Sequence, residues 1–272
     1  MGIELGVEWL LAYLALGGFV GFFAGLLGVG GGGIMVPMLT TLFAAQGFPR
    51  EHLVHVALGT SMAAIVITSL SSLRAHHGHG AVRWDIVRGI TPGVLLGTFC
   101  GTFIASRVAT APLAIFFACF MAYVSVQMIL NVKPKPSRDL PGPAGLAGVG
   151  GVIGLISALV AIGGGSLSVP FMTWCNVRMQ HAIGTSAAIG LPIAVAGAAG
   201  YLINGWGAAG LPAWTVGFVN LPALVLVSVV SAFLAPVGAR LAHRLPVATL
   251  KKIFAAVLVL LSLKMLHTVL GR

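Results

Sequence analysis

Apolar residues fill this chain in long blocks, separated by short clusters of charge, proline and glycine. Breaking it at those clusters gives about ten segments. In the first half they run about 5–29, 34–47, 52–73, 87–106 and 111–131; in the second, about 141–162, 166–176, 180–203, 213–239 and 247–269. A helix needs roughly 20 apolar residues to cross about 30 Å of hydrocarbon, and most segments meet that length. Their apolar runs, such as Leu221–Phe233, do not alternate with polar positions as the strands of a membrane barrel must. The pattern predicts an all-α polytopic membrane protein, because only helices satisfy their own backbone in lipid without closing a barrel.

Composition agrees. Hydrophobic residues make up 58% of the chain and charged ones 7%, with a mean hydropathy of +1.05. A soluble surface needs roughly 25% charged residues, so a soluble enzyme and a disordered chain are excluded. The net charge of +10 does not mark a nucleic-acid partner, because the basic residues lie in short loops between apolar runs. The lipid bilayer is the expected surroundings, and homo-oligomerisation stays open. Cys100, Cys119 and Cys175 sit in apolar segments without paired spacing and read as small hydrophobes. Glu4 and Glu8 precede the first run where a signal peptide would be basic, so that run reads as the first membrane segment.

The two halves resemble each other. GVGGGGIMVP at 28–37 matches AIGGGSLSVP at 161–170, and ALGTS at 57–61 matches AIGTS at 182–186. Gly101, Leu113, Phe117 and Met128 fall opposite Gly238, Leu250, Phe254 and Met265. Matches in the same order define an internal repeat: a first membrane repeat over 1–130, a basic cytoplasmic linker over 131–143, and a second repeat over 144–272. With five segments each, the copies are expected to insert in opposite orientations. Placing the N-terminus outside puts Arg74, Arg83, Arg88, Lys133, Lys135, Arg138, Arg178, Arg240, Arg244, Lys251 and Lys252 inside, as the positive-inside rule asks. Both termini then lie outside. Segments 34–47 and 166–176 are too short to cross as straight helices. Each follows a glycine run and contains a proline (Pro37, Pro170), which predicts a broken or re-entrant glycine-rich helix in each inverted repeat.

All five acidic residues fall at segment ends or in loops, leaving no carboxylate at mid-membrane for a cation or a proton relay. A site free of fixed negative charge suits an anion. The candidate ligands are the glycine runs, Gly30, Gly31, Gly32 and Gly33 with Gly163, Gly164 and Gly165, whose bare backbone admits close approach. Helices restarting after them aim N–H groups and a positive dipole end at the gap. Ser166 adds a hydroxyl, and the repeated motifs add Thr60, Ser61, Thr185 and Ser186. The same glycines could instead only let helices cross closely, and the hydroxyls could bond a carbonyl one turn back. His76, His77 and His79 read as a solvated loop, His55 and His181 as interfacial residues at helix ends. No metal, cofactor or catalytic residue is expected.

The glycine run with Val-Pro, the Gly-Thr-Ser motif about 25 residues on, their repetition and the basic mid-chain linker resemble the TauE/SafE family of sulfite exporters and related anion permeases. The resemblance implies a carrier in the bacterial inner membrane for sulfite, sulfonates such as sulfoacetate, or related small anions. The expected function is thus a secondary transporter, an exporter, working by alternating access. An anion channel and an intramembrane enzyme are the alternatives. No GxxxxGK[ST] pattern supplies an ATP site.

Overall fold

The computed structural model describes residues 6–27, 31–130, 137–242 and 247–271. Within them the chain forms α1 (Val7–Leu27), α2 (Gly32–Ala45), α3 (Leu53–Gly78), α4 (Trp84–Arg107), α5 (Thr110–Leu130), α6 (Pro143–Val160), α7 (Gly165–Trp174), α8 (Met179–Asn204), α9 (Leu221–Ala242) and α10 (Val247–Leu270). Seven of the described helices are long and apolar enough to cross a membrane. The chain is a multi-pass helical membrane protein, as the hydrophobic blocks predict. Residues 131–136 of the linker, Gly30 and Arg244 lie outside the described residues.

Two boundaries differ from the sequence reading. Helix α3 continues to Gly78, so His76 and His77 occupy its last turn rather than a loop. The helix ends where Gly80 takes a positive φ of 65° and donates its N–H to the His77 carbonyl. Helix α9 starts at Leu221, later than expected, because 215–220 form a two-residue antiparallel pair, β1 (Thr215–Val216) with β2 (Val219–Asn220). Pro222 then falls in the first turn of α9, where its missing N–H would have had no helical partner.

Helices α3 and α8 pack on each other at the centre, with α1 against α9, α4 against α6 and α5 against α10. Lipid tails are as apolar as leucine, so close backbone approach must hold such pairs together. Glycine supplies it. A Cβ on Gly17 would lie 2.7 Å from the Val227 carbonyl oxygen, and one on Gly21 2.5 Å from that of Ser231, fixing α1 on α9. Between α6 and α4, Gly150 and Gly154 sit as tightly on the carbonyl oxygens of Ile90 and Val94, at 2.3 and 2.5 Å.

Two hairpins carry the breaks. Helices α1 and α2 close through the Tyr13 hydroxyl, which donates to Gln46 Oε1 at 2.8 Å. Helices α6 and α7 close where Ser137, just before α6, donates its N–H to the Trp174 carbonyl at the end of α7, while the Trp174 indole N–H donates back to Ser137 Oγ at 2.7 Å. Both ends of the α6–α7 hairpin therefore lie together.

Candidate functional site

The second break is built by local backbone choices, and it shares with the first an uncapped helix start and a proline. Helix α6 ends on Ala161 at φ 47°, a left-handed conformation that costs an alanine about 1–2 kcal/mol. Gly164, at φ 80°, then turns the chain into α7. Neither α2 nor α7 has a side-chain cap at its start, which leaves first-turn N–H groups without a capping partner. Pro37 and Pro170 each stand six positions into their helix, and their missing amides free the carbonyls of Gly33 and Ser166. Backbone donors and acceptors thus remain open at both breaks.

The fold brings the two breaks together. A Cβ on Gly32 would lie 1.7 Å from the Ala161 carbonyl oxygen, so the start of α2 rests directly on the end of α6. Ile65 of α3 packs beside both, 3.1 Å from the same point on Gly32 and 3.6 Å from that on Gly163. The Gly163 carbonyl turns toward Gly190 of α8, and Ser69 Oγ approaches the same glycine. Gly31 packs on Val20, and Gly33 on Leu258 and Met121.

Hydroxyls gather at the second break. Ser168 Oγ lies 2.8 Å from the Gly164 carbonyl oxygen and 2.8 Å from Ser186 Oγ. With one proton per hydroxyl, Ser168 can donate to the carbonyl while accepting from Ser186. Ser186 Oγ also faces Gly165, and Ser166 stands half-buried in the first turn of α7. Ser61, the Ser186 counterpart in the first half, is fully buried and its hydroxyl has no partner. A buried hydroxyl without a partner costs about 1–3 kcal/mol, so Ser61 is a group with capacity for a ligand.

The threonines of the repeated motif have partners of another kind. Thr60 Oγ1 accepts the N–H of Asn220 at 2.9 Å, and Thr185 Oγ1 accepts that of Arg83 at 3.0 Å. Asn220 and Arg83 are the residues immediately before α9 and α4. The adjacent glycines repeat the match: a Cβ on Gly59 would meet the Phe218 carbonyl oxygen at 2.2 Å, and one on Gly184 that of Ala81 at 2.7 Å. Each Gly-Thr pair therefore seats the loop entering a helix of the other half. The acceptor side of both hydroxyls is occupied there, and the hydroxyl protons remain.

The histidines serve helix ends. His55 Nε2 reaches the carbonyls of Ala105 and Val108, each at 3.0 Å, so Nε2 carries the proton and caps the end of α4. His181 Nδ1 lies 3.3 Å from the Ala81 carbonyl. Among the described residues no three His, Cys, Asp or Glu side chains are grouped for a metal. His77 instead accepts the Trp84 indole N–H.

Sequence reasoning missed Ser168, Ala161 and Asn220. Ser168 falls opposite Met35 in the repeat, so a search for matched positions passes over it. The signal for Asn220 was the Asn-Leu-Pro string itself: its Oδ1 accepts the Ala223 N–H at 3.0 Å, the usual work of an asparagine at a helix start.

Known proteins bear on this arrangement. The chain is 36% identical over 259 residues to a probable membrane transporter protein of Haemophilus influenzae, covering 94% of this chain and 98% of that one. It is 27% identical over 240 residues to the probable membrane transporter protein YdhB of Bacillus subtilis, covering 85% and 90%. A relative from Methanocaldococcus jannaschii, also a probable membrane transporter protein, is 25% identical over 278 residues, or 98% of this chain and 100% of that one. No solved structure matches. These names describe membrane transporters rather than enzymes, and with residues 13–265 matching the family described as "Sulfite exporter TauE/SafE", the chain belongs to that family.

Proposed function

We propose that the chain is a secondary transporter that exports a small anion, a sulfite, sulfonate or related sulfur oxyanion, across a bacterial inner membrane. The observation that carries this reading is the Ser168–Ser186 hydroxyl pair at the uncapped start of α7, with Gly32 of the other break resting on Ala161 at the end of α6. Hydroxyls, open N–H groups and a positive helix end favour an oxyanion without a buried cation. The proposed lining is Gly30–Gly33 with Ser61 from one half, and Gly163–Gly165 with Ser166, Ser168 and Ser186 from the other. Thr60 and Thr185 contribute at most their hydroxyl protons and mainly hold the walls.

Depth supports the placement. Ten residues of α7 rise about 15 Å from the linker end, half of the roughly 30 Å hydrocarbon layer. The inverted repeat is supported by matched contacts. Gly17 on Val227 answers Gly150 on Ile90, Gly21 on Ser231 answers Gly154 on Val94, and Thr60 on Asn220 answers Thr185 on Arg83. An inside-negative potential drives an anion outward with about 2.3 kcal/mol per charge per 100 mV, so export needs no further energy source.

The test is a thermal-shift screen of the purified protein against sulfite, thiosulfate, sulfoacetate, taurine and sulfate, with chloride and phosphate beside them. A bound ligand stabilises the folded state by mass action. At least one sulfur anion is expected to raise Tm, and Ser186→Ala to weaken that rise. Stabilisation by chloride or phosphate alone would remove the sulfur substrate from the reading.

A further inference from the structure

The two breaks do not sit alike. In the first half, a Cβ on Gly31 would press on Val20 of α1 at 2.5 Å, and one on Gly33 would touch Leu258 at 3.1 Å and Met121 at 3.3 Å. Helix α2 is thus wedged between α1 and the α5–α10 pair, and nine of its residues from Gly32 to Phe43 are buried.

The sequence repeat fixes where α7 would sit if it were packed the same way. An offset of 133 carries Gly31, Gly33 and Val20 to Gly164, Ser166 and Ile153, and an offset of 137 carries Met121 to Leu258. Gly164 should therefore meet Ile153 of α6, and Ser166 should meet Met121 and Leu258. The packing differs: Ile153 is not among the nearest neighbours of Gly164, and α7 has no substantial packing against α5 or α10. Gly164 leans instead on α8, 2.7 Å from the Ile193 side chain. Between α6 and α7 opens an apolar groove of 360 Å³, lined by Val149, Ile153, Leu167 and Phe171 among others. Only Ser168, Met172 and Thr173 of α7 are buried, and its substantial helix packing is with α8 alone, none of it with α5.

We infer that α2 and α7 exchange packing during transport. In the arrangement described here α2 is docked on α5–α10 and α7 is swung onto α8. In the other, α7 closes the groove against Ile153 and sets Ser166 on Met121 and Leu258, while α2 takes the looser position. Two packings of equivalent segments differ little in free energy, as a two-state carrier requires. The swing moves the Ser166–Ser168 end of α7 relative to Ser186, so it opens and closes the hydroxyl pair described above. The exchange gives the transporter reading its gate, yet it concerns packing alone and needs no particular anion.

Cysteine cross-linking tests it in native membranes, in a protein whose Cys100, Cys119 and Cys175 are replaced by alanine and which still transports. The pair Ser166→Cys with Met121→Cys joins two helices that have no substantial packing here, and it is expected to cross-link as the carrier cycles, read as a mobility shift on a gel that a reductant reverses. The pair Gly33→Cys with Leu258→Cys traps the arrangement described here and is expected to behave likewise. Pairing Ser166→Cys with Phe116→Cys, on the outer face of α5, is the control and is expected to stay unlinked. Should Gly33→Cys fold poorly, the Ser166 pair decides alone. A folded, maleimide-reactive Ser166/Met121 protein that never cross-links overturns the exchange, as does linking to Phe116 at the same rate. Neither result depends on the anion screen, so the exchange and the substrate reading fail separately.

Discussion

Thr60 Oγ1 of α3 accepts the backbone N–H of Asn220 at 2.9 Å, across 160 positions of sequence. Thr185 does the same for Arg83 from the other half. Without these acceptors, the N–H groups entering α9 and α4 would be left unpaired, which costs about 1–3 kcal/mol each when buried. Thr60→Val and Thr185→Val should therefore lower stability by about that much, with Thr→Ser restoring it. The effect at Arg83 should be smaller because its N–H is only part-buried. Denaturation of the purified variants reads this directly, and a Val variant as stable as the parent would deny the clamp.

Ser186 and Ser168 should behave in the opposite way. Their hydroxyls bond each other and the Gly164 carbonyl, while open N–H groups stand beside them at the α7 start. Removing a hydroxyl that donates to a charged ligand costs about 1.5–3 kcal/mol, roughly ten- to hundredfold in affinity. Ser186→Ala and Ser168→Ala should weaken anion binding by that factor and shift Tm little. Titration of each variant with the anion that stabilises the parent is the measurement. Wild-type affinity in both would move the site elsewhere.

How much of this was legible beforehand depends on which physics wrote it. Long apolar blocks and the Gly-Pro breaks mark the helices, because lipid leaves the backbone few other ways to bury its polar groups. The repeated Gly-Thr-Ser strings marked positions that matter, but not what each residue does there. Thr60 and Ser61 are neighbours in sequence and point to different partners, one to a loop amide and one to none. Ser168 was invisible because duplication reasoning values what repeats, whereas the second break has a hydroxyl where the first has Met35. The β1–β2 turn was hidden within a hydrophobic run. Its Gly217, at φ 55°, is pressed against Leu202 of α8, a contact no local pattern announces.

Gly32 and Ala161 make a second pair with opposed expectations. The atom opposing a Cβ on Gly32 is a backbone carbonyl oxygen, which cannot rotate away as a side chain would. Gly32→Ala should therefore separate the two breaks and lower Tm or yield. Ala161→Gly relieves a left-handed alanine and should add about 1–2 kcal/mol of native-state relief, partly offset by the greater freedom of glycine when unfolded. Paired melting curves decide it: equal stability of Gly32→Ala and the parent would mean that the breaks do not bear on each other.

Arg83 and Asp85 offer a contrast on the surface. The Arg83 guanidinium donates to both Asp85 oxygens, and its pKa is raised above the ordinary arginine value chiefly by that hydrogen bond. Both side chains are substantially exposed, so solvent screens the pair, and such bridges contribute about 0–1 kcal/mol. Asp85→Asn should leave Tm nearly unchanged. A large loss would show that the start of α4 rests on this carboxylate rather than on Thr185.

Orientation is the remaining prediction, and the contacts sharpen where to probe it. Ser137 and Trp174 tie the linker to the end of α7, while His181 and Thr185 at the start of α8 touch Ala81 and Arg83. The linker, the α3–α4 turn and the α7–α8 turn are expected on the basic, inner side. At the opposite end, His52 Nε2 meets the Ala209 carbonyl, joining the α2–α3 and α8–α9 loops. Single cysteines read the two ends in the background lacking native cysteines. Gly78→Cys has open space around its Cβ and exposed surroundings. Ala209→Cys is exposed too, and avoids the positive φ of 76° that would strain a side chain at Gly210. In intact cells an impermeant maleimide should label Ala209→Cys and spare Gly78→Cys, and permeabilised cells should label both. Labelling of Gly78→Cys alone would turn the molecule over. Labelling of both in intact cells would place the two loops on one side and end the inverted-repeat reading.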